Sequence, residues 1–304
     1  MKTRTLVALV VILSLLAGVA IGCQEQFQGG TFIDDAGREV TINEMPERIV
    51  SFGPSITEIL FALGLGDRVV GVSDYSDYPA EAQGIPSIGN AYSPSIEILV
   101  ELEPDLVLTV EHEQLNSQLE ALGLTYLILS PTDIDGIFAN IQLVGAVTGT
   151  GDEAEALIDD MQDAMANILA IVEGAPTVSV FYIIDASLDL TMPWTAGEGS
   201  FIDVLITMAG GENIAHETPG EWVQFSIEEV VSADPDFIII QTMIAGVPTV
   251  TIETLEAHPI WGSMRAVIEG NVFIIDGDLV SRPGPRIVQG LEELARIIHH
   301  ELFE

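Results

Sequence analysis

Residues 95–108 read SIEILVELEPDLVL and residues 226–239 read SIEEVVSADPDFII; six of the fourteen positions are identical at a constant separation of 131 residues. In each copy a serine stands where it can cap a short helix, a glutamate falls in the first turn, and Pro-Asp ends the helix ahead of an apolar strand. The separation is too long for a solenoid period, so the pattern predicts two similar α/β lobes, each holding one copy. The matched glutamates, Glu97 and Glu228, admit two readings at this point. Each complements its helix dipole, worth about 0.3–1 kcal/mol, or the pair forms a surface feature used twice.

Outward from the repeat, β-type and helical periods alternate. Strands are expected near 48–52, 69–72, 106–110 and 125–129, with helices near 55–64, 94–102 and 112–122 between them, the signature of a parallel sheet covered by helices. Two strand-like runs around Asp35-Ala36-Gly37 predict a hairpin ahead of this lobe. From Asp133 to Val172 the pattern is helical with a break at residues 148–151, and its second part predicts one long, stiff helix joining the lobes. Alternation then resumes, with strands at 177–184, 237–240 and 272–275, helices near 200–209 and 226–233, and a final helix from about 286 to 303. The expected division is a 1–22 leader, a 23–46 tether and hairpin, a 47–150 lobe, a 151–174 linking helix and a 175–304 lobe. The fold class is therefore α/β, with two Rossmann-like lobes and a ligand cleft between them.

Lys2 and Arg4 precede sixteen mostly apolar residues, Leu6 to Ile21, that run into Gly22-Cys23. A charged start, an apolar run and a small residue before cysteine predict a cleaved lipoprotein leader, with Cys23 lipidated and the chain held at the outer face of a membrane, extracytoplasmic. The apolar run falls short of the roughly 20 residues that span a bilayer. Cys23 is the only cysteine, which excludes an internal disulfide and a cysteine-based zinc site.

The formal charge is −38, the only lysine is Lys2, and no Lys or Arg occurs between Arg68 and Arg265. Such a chain is repelled by nucleic acid, which is excluded as a partner. The acidity reads mainly as a solvated coat. A strongly anionic ligand would need a basic cleft, and only Arg68, Arg265, Arg282, Arg286 and Arg296 lie where they could supply one.

Motifs for chemistry are missing. There is no Gly-x-Ser-x-Gly elbow, P-loop, His-Glu-x-x-His or calcium loop, and Gly197-Glu198-Gly199-Ser200 reads as lacking the strand–turn–helix setting of a nucleophile. The five histidines are scattered, with surface or capping duty expected of each and no metal site. An enzyme is not expected; a surface-anchored hydrolase is the different-class alternative, and a sensor ectodomain is disfavoured because no second apolar span follows before Glu304.

Aromatic residues gather in loops at strand ends, where open α/β sheets bind ligands. Tyr75 follows the 69–72 strand, Tyr92 precedes the first repeat helix, Trp194 lies in MPWTAGEGS, and Trp222 precedes the second repeat helix. Facing lobes would bring these onto two walls of one cleft, suited to a large, flat, mostly neutral ligand. Tyr78 and Trp261 read as packing residues.

From about Glu47 onward the chain resembles the extracytoplasmic solute-binding proteins that feed ABC importers of cobalamin and iron–siderophore complexes. The resemblance rests on RIVSFGPSITEILFALG at 48–64, VGVSDYSDYP at 70–79, both repeat copies, PWTAGEGSFIDVL at 193–205 and AGGENI at 209–214. SDYSDYP, GGENI and SRPGPRI at 281–287 lean toward the cobalamin branch. The resemblance implies two lobes bridged by a rigid helix, a monomer, and a permease dimer with its cytoplasmic ATPase as partner. It further implies that Glu97 and Glu228 dock onto arginines of that permease. It implies a corrinoid as transported ligand, no resident cofactor, and a cleft lined by Tyr75, Trp194, Trp222 and Arg282, with Asp278 a further candidate. The branch's aromatic position near Ala91 is not aromatic here, and Tyr92 is its neighbour. Ferric siderophores and haem are the alternatives within the family.

Overall fold

The computed structural model describes residue 27, residues 29–243 and residues 246–303. The expected leader, Cys23 and most of the tether lie outside the described residues. Phe27, expected in that tether, instead packs against the apolar core.

The first lobe runs β1 (Gly30–Ile33), β2 (Glu39–Ile42), β3 (Ile49–Phe52), α1 (Pro54–Ala62), β4 (Val69–Val72), β5 (Gly89–Asn90), β6 (Ser93–Pro94), α2 (Ile96–Glu101), β7 (Leu106–Thr109), α3 (Glu113–Leu122), β8 (Tyr126–Ile128) and α4 (Ile134–Thr148). After α5 (Gly151–Val172) the second lobe runs β9 (Val178–Ile183), β10 (Trp194–Ala196), α6 (Phe201–Met208), β11 (Gly211–Asn213), β12 (Trp222–Gln224), α7 (Ile227–Ala233), β13 (Phe237–Gln241), α8 (Ile252–Ala257), α9 (Arg265–Ile268), β14 (Val272–Ile275), α10 (Gly277–Ser281) and α11 (Ile287–Ile298). Each lobe centres on a four-stranded parallel sheet, ordered β4-β3-β7-β8 and β11-β9-β13-β14. The central strands of both sheets are almost wholly buried apolar runs, as expected of sheets covered on both faces.

The repeat is a folding unit with one job in each lobe. Ile49 pairs with Leu106, and Val180 pairs with Phe237, so the central register recurs at the separation seen in the sequence. Ser95 Oγ accepts from the Ile98 N–H and Ser226 Oγ from the Glu229 N–H, capping α2 and α7. Both helices end on a non-glycine residue with positive φ just before proline, Glu103 at 45° and Asp234 at 43°. The aspartate after each proline then holds the edge of the neighbouring strand. Asp105 accepts from the Glu47 N–H at 2.8 Å and the Arg48 N–H at 3.0 Å; Asp236 accepts from the Ser179 N–H and hydroxyl, both at 2.8 Å, and from Arg265 at 2.6 Å. Burial pushes Asp236 up, but the Ser179 amide, Arg265 and the Ser179 hydroxyl outweigh it and hold the carboxyl below its usual range.

Helix α4 stops on Gly149 in the left-handed region at φ 73°, and α5 starts at once. Ala154, Met161, Met165, Ile168 and Val172 form the buried stripe of α5, and they join α4 of the first lobe and α11 of the second in one continuous apolar cluster. The N-terminal hairpin closes the β8 edge, where Asp34 accepts from the Ile128 N–H and Asp35 donates its N–H to the Ile128 carbonyl. The short antiparallel pair β10–β12 was not expected; three-residue strands carrying Trp194 and Trp222 read as loops in the sequence.

Asp105→Ala and Asp236→Ala are each expected to lower the unfolding free energy by about 1–3 kcal/mol, because each strips hydrogen bonds from strand-edge amides; urea unfolding measures this. Because the folded Asp236 titrates below its unfolded value, its contribution is present above about pH 3.9 and is lost as pH falls through the lowered folded value. The gap between wild type and Asp236→Ala should therefore close in acid. Self-repulsion from a charge of −38 also predicts a melting temperature that rises as salt goes from about 0.1 to about 1 M, where the Debye length shrinks from about 10 to about 3 Å. A flat salt series would show that the carboxylates are not strained by one another.

Candidate functional site

Parallel strands deliver their C-terminal ends to one side of each sheet, and here the two sides meet around a cleft. Its volume is about 370 Å³, or about 900 Å³ with the space at its open mouth. Pro54 follows β3, Tyr75 and Asp77 follow β4, Ile184 follows β9, Gln241 to Met243 end β13, and Gly277, Asp278, Ser281 and Arg282 follow β14. Among the described residues of the lining, Trp222 on β12 alone comes from a different kind of element. Both lobes thus contribute walls, at the place where open α/β sheets bind ligands.

Tyr75 and Trp222 stand half-exposed on opposite lobes, at 42% and 48%. Of the residues expected at the site, the structure brings Tyr75, Trp222, Asp278 and Arg282 together around the cleft. Trp194 is not among its lining residues; it sits on β10 opposite Gln224, a diagonal neighbour of Trp222 across the ladder. Tyr92 is also outside the lining and is 95% exposed at the β5–β6 tip. That tip is held by Asn90, whose Oδ1 accepts from the Tyr92 and Ser93 N–H groups, and by His112 Nε2 against the Ala91 carbonyl at 2.6 Å. His112 Nδ1 accepts from the Leu115 N–H as the cap of α3, so Nε2 carries the proton.

Glu58, on α1, went unnoticed in the sequence because it sits inside an apolar helical run. Its side chain is 2% exposed and takes Arg286 at 2.7 Å and Arg282 at 3.3 Å, both from the other lobe. Arg282 also bonds Asp77 of the first lobe at 2.9 Å and Asp278 of its own lobe at 2.6 Å. Arg286 lies over the Tyr78 ring at 4.0 Å, which accounts for the packing role expected of Tyr78. Between the arginines, Pro283-Gly284-Pro285 turns against α1 so closely that a Cβ on Gly284 would sit 3.3 Å from the Ser55 carbonyl oxygen. Burial pushes Asp278 above the usual carboxylate range; Arg282 opposes this, and Asp77 and Asp276 add to it.

Glu97 and Glu228 are exposed in the first turns of α2 and α7, and among the described residues neither side chain joins an ion pair. The capping box on α7 uses the next residue, Glu229. Trp261 is fully buried and stacks on Phe181 at 5.9 Å.

Ser200 does lie between a strand and a helix, contrary to expectation, yet it is a cap and not a nucleophile. It is buried, accepts from the Asp203 N–H and donates to the Gly197 carbonyl. His216 pairs with Asp203 at 2.9 Å instead, and that bond and charge raise its pKa. His299 is buried and not a surface residue; it takes the C-cap position of α11, its N–H donating to the Ala295 carbonyl, while its imidazole caps nothing. Among the described residues no group of three or more His, Cys, Asp or Glu converges as metal ligands, and no helix is long and apolar enough to cross a membrane.

A family profile described as Periplasmic binding protein matches residues 49–279. The chain is 33% identical over 285 residues to the uncharacterized ABC transporter substrate-binding lipoprotein YvrC of Bacillus subtilis, covering 90% of this chain and 86% of the relative. It is 30% identical over 277 residues to a cobalamin-binding protein of Halobacterium salinarum, covering 88% and 73%. The solved periplasmic heme-binding protein RhuT from Roseiflexus superposes with a TM-score of 0.75 at 27% identity, covering 84% and 99%.

Glu58→Ala leaves two arginines, each only about one-tenth exposed, without their shared carboxylate, and should cost about 3–5 kcal/mol in urea unfolding. For His216, the raised folded pKa means that its stabilisation is complete below about pH 6.5 and fades as pH rises through the folded value. Melting curves of wild type should therefore lose an acid-side advantage that His216→Gln never has; parallel pH profiles would refute the ion pair's contribution.

Proposed function

The chain belongs to the periplasmic binding protein family, and on that premise we propose that it captures a cobalamin-type corrinoid between its lobes and delivers it to an ABC importer, with no chemistry of its own. The observation that carries this reading is Tyr75 and Trp222 standing half-exposed on opposite walls of a cleft at the strand ends. Two ring faces suit a flat macrocycle, and the Asp278–Arg282 floor suits polar amide edges. Trp194, a ladder neighbour of Trp222, and the exposed Tyr92 lie outside the lining and would extend the aromatic surface for a ligand larger than the floor. The cobalamin-binding name of one relative supports the corrin over other macrocycles, and the haem-binding name of another keeps haem and ferric siderophores as the competing ligands.

Delivery needs a docking face and a location. Glu97 and Glu228 serve as paired contacts for arginines of a two-fold permease dimer served by a cytoplasmic ATPase: they are exposed, placed alike in the first turns of two matched helices, and among the described residues neither side chain makes a hydrogen bond or ion pair. Cys23 carries the lipid anchor, a reading that the lipoprotein name of the Bacillus relative supports. Residues 47–150 and 175–304 act as the two lobes and 151–174 as a stiff link that limits their relative motion.

Isothermal titration should give sub-micromolar binding of cyanocobalamin or cobinamide; tight binding of a ferric hydroxamate or haemin alone would reject the corrinoid. Tyr75→Ala and Trp222→Ala should each weaken the bound corrinoid about 30-fold, the effect of losing a central aromatic contact. Glu97→Arg with Glu228→Arg should leave that affinity intact while abolishing corrinoid uptake by cells that depend on the variant. Loss of ligand binding instead would move these glutamates into the site and end the docking proposal.

A further inference from the structure

The expectation that Arg282 offers a positive charge to the ligand meets an obstacle in its own contacts. Its Nη1 donates to Glu58 and Asp77 and its Nη2 to Asp278, and the side chain is only 11% exposed. Arg286 is engaged by Glu58 and covered by Tyr78. Asp77 and Asp278, by contrast, are 54% and 43% exposed, one from each lobe. The arginine therefore lies behind the carboxylates it holds. Among the described residues Asp77 Oδ2 and Asp278 Oδ1 carry no hydrogen bond, so each presents a free acceptor.

The other polar groups on the floor are engaged as well. The Gln241 amide accepts from the Tyr182 hydroxyl at 3.1 Å and donates to the Met243 sulfur at 3.2 Å. The Gly277 and Asp278 N–H groups donate to Thr242 and Asp276. Two arginines against Glu58, Asp77 and Asp278 leave the cluster one negative charge in excess, and among the described residues no unshared cation faces the cleft. An acceptor floor of this kind binds N–H donors and repels anions.

Building on the corrinoid reading, we propose that Asp77 and Asp278 read the amidation state of the ligand's rim: the cleft admits corrinoids whose side chains are primary carboxamides and rejects those whose side chains are carboxylates. Each carboxamide brings two N–H donors to the free Asp oxygens. A carboxylate at the same place adds a further negative charge to a cluster already in negative excess and brings no donor, in a cleft whose walls exclude part of the water that would screen it. The importer would then take up finished, amidated corrin rings and leave their acidic precursors outside.

The test is titration calorimetry at about neutral pH with cobinamide, cobyric acid and cobyrinic acid, which carry the same ring with none, one and all of its side chains as carboxylates. Affinity should fall along that series, with cobyrinic acid at least about 100-fold weaker than cobinamide. Asp77→Asn, Asp278→Asn and the double variant should narrow the gap to below about 10-fold by gaining affinity for the acid. Cobyrinic acid within about 3-fold of cobinamide on the wild-type protein would overturn the inference while leaving the corrinoid reading in place, and so would an unchanged gap in all three variants. Failure of every one of these ligands to bind would reject the corrinoid reading and this inference with it.

Discussion

The carboxylate of Glu58 is the constraint around which the two lobes are arranged. It is buried in the first lobe and meets Arg282 and Arg286 of the second. A buried charge without partners is costly by several kcal/mol, so Glu58 on its own would tolerate neither separation of the lobes nor loss of an arginine. The Pro-Gly-Pro turn that carries the arginines packs against the start of α1, and α5 supplies a second, apolar tie on the far side through α4 and α11. Ionic contact at the base of the cleft and a continuous helical core behind it set how far apart Tyr75 and Trp222 stand. The same contact makes the floor acidic, since holding Arg282 in place takes three carboxylates.

The internal repeat has a purely structural explanation for most of its length and leaves one glutamate in each copy outside that explanation. Serine caps the helix, the residue before proline ends it in a left-handed turn, and the aspartate after proline secures the amide edge of the adjacent central strand. Those duties account for Ser95, Asp105, Ser226 and Asp236. They do not account for Glu97 or Glu228. Glu229 shows the difference, since it completes the capping box on its own helix while Glu228 beside it makes no such bond. Beyond facing the helix dipole, Glu97 and Glu228 are each a carboxylate at a matched position with no side-chain partner among the described residues, which is what a two-fold partner would need.

Legibility in the sequence followed the range of the interactions. The central strands, the helix break at residues 148–151 and α5 were all readable, because hydrophobic period and capping chemistry act within a few residues. The pair β10–β12 was not, since a three-residue strand has no period to detect and only its partner stabilises it. His299, expected on the surface or at a cap, does end α11, but its side chain is buried against the turn at Gly210. Ser200 has a strand before it and a helix after it, yet its hydroxyl is turned inward to cap α6.

By itself the sequence determined that there are two α/β lobes, that a long helix joins them, and that aromatic side chains gather at the strand ends. Those features follow from local periodicity and from a repeat that each lobe satisfies independently. Only the tertiary structure decided which of these groups share a cleft, that Trp194 and Tyr92 stay outside its lining, and that Arg282 stands behind carboxylates. Glu58 and Arg286 lie 228 residues apart, and a charge pair across that separation leaves no trace in spacing. Its effect on the cleft exists only once the lobes have closed against one another.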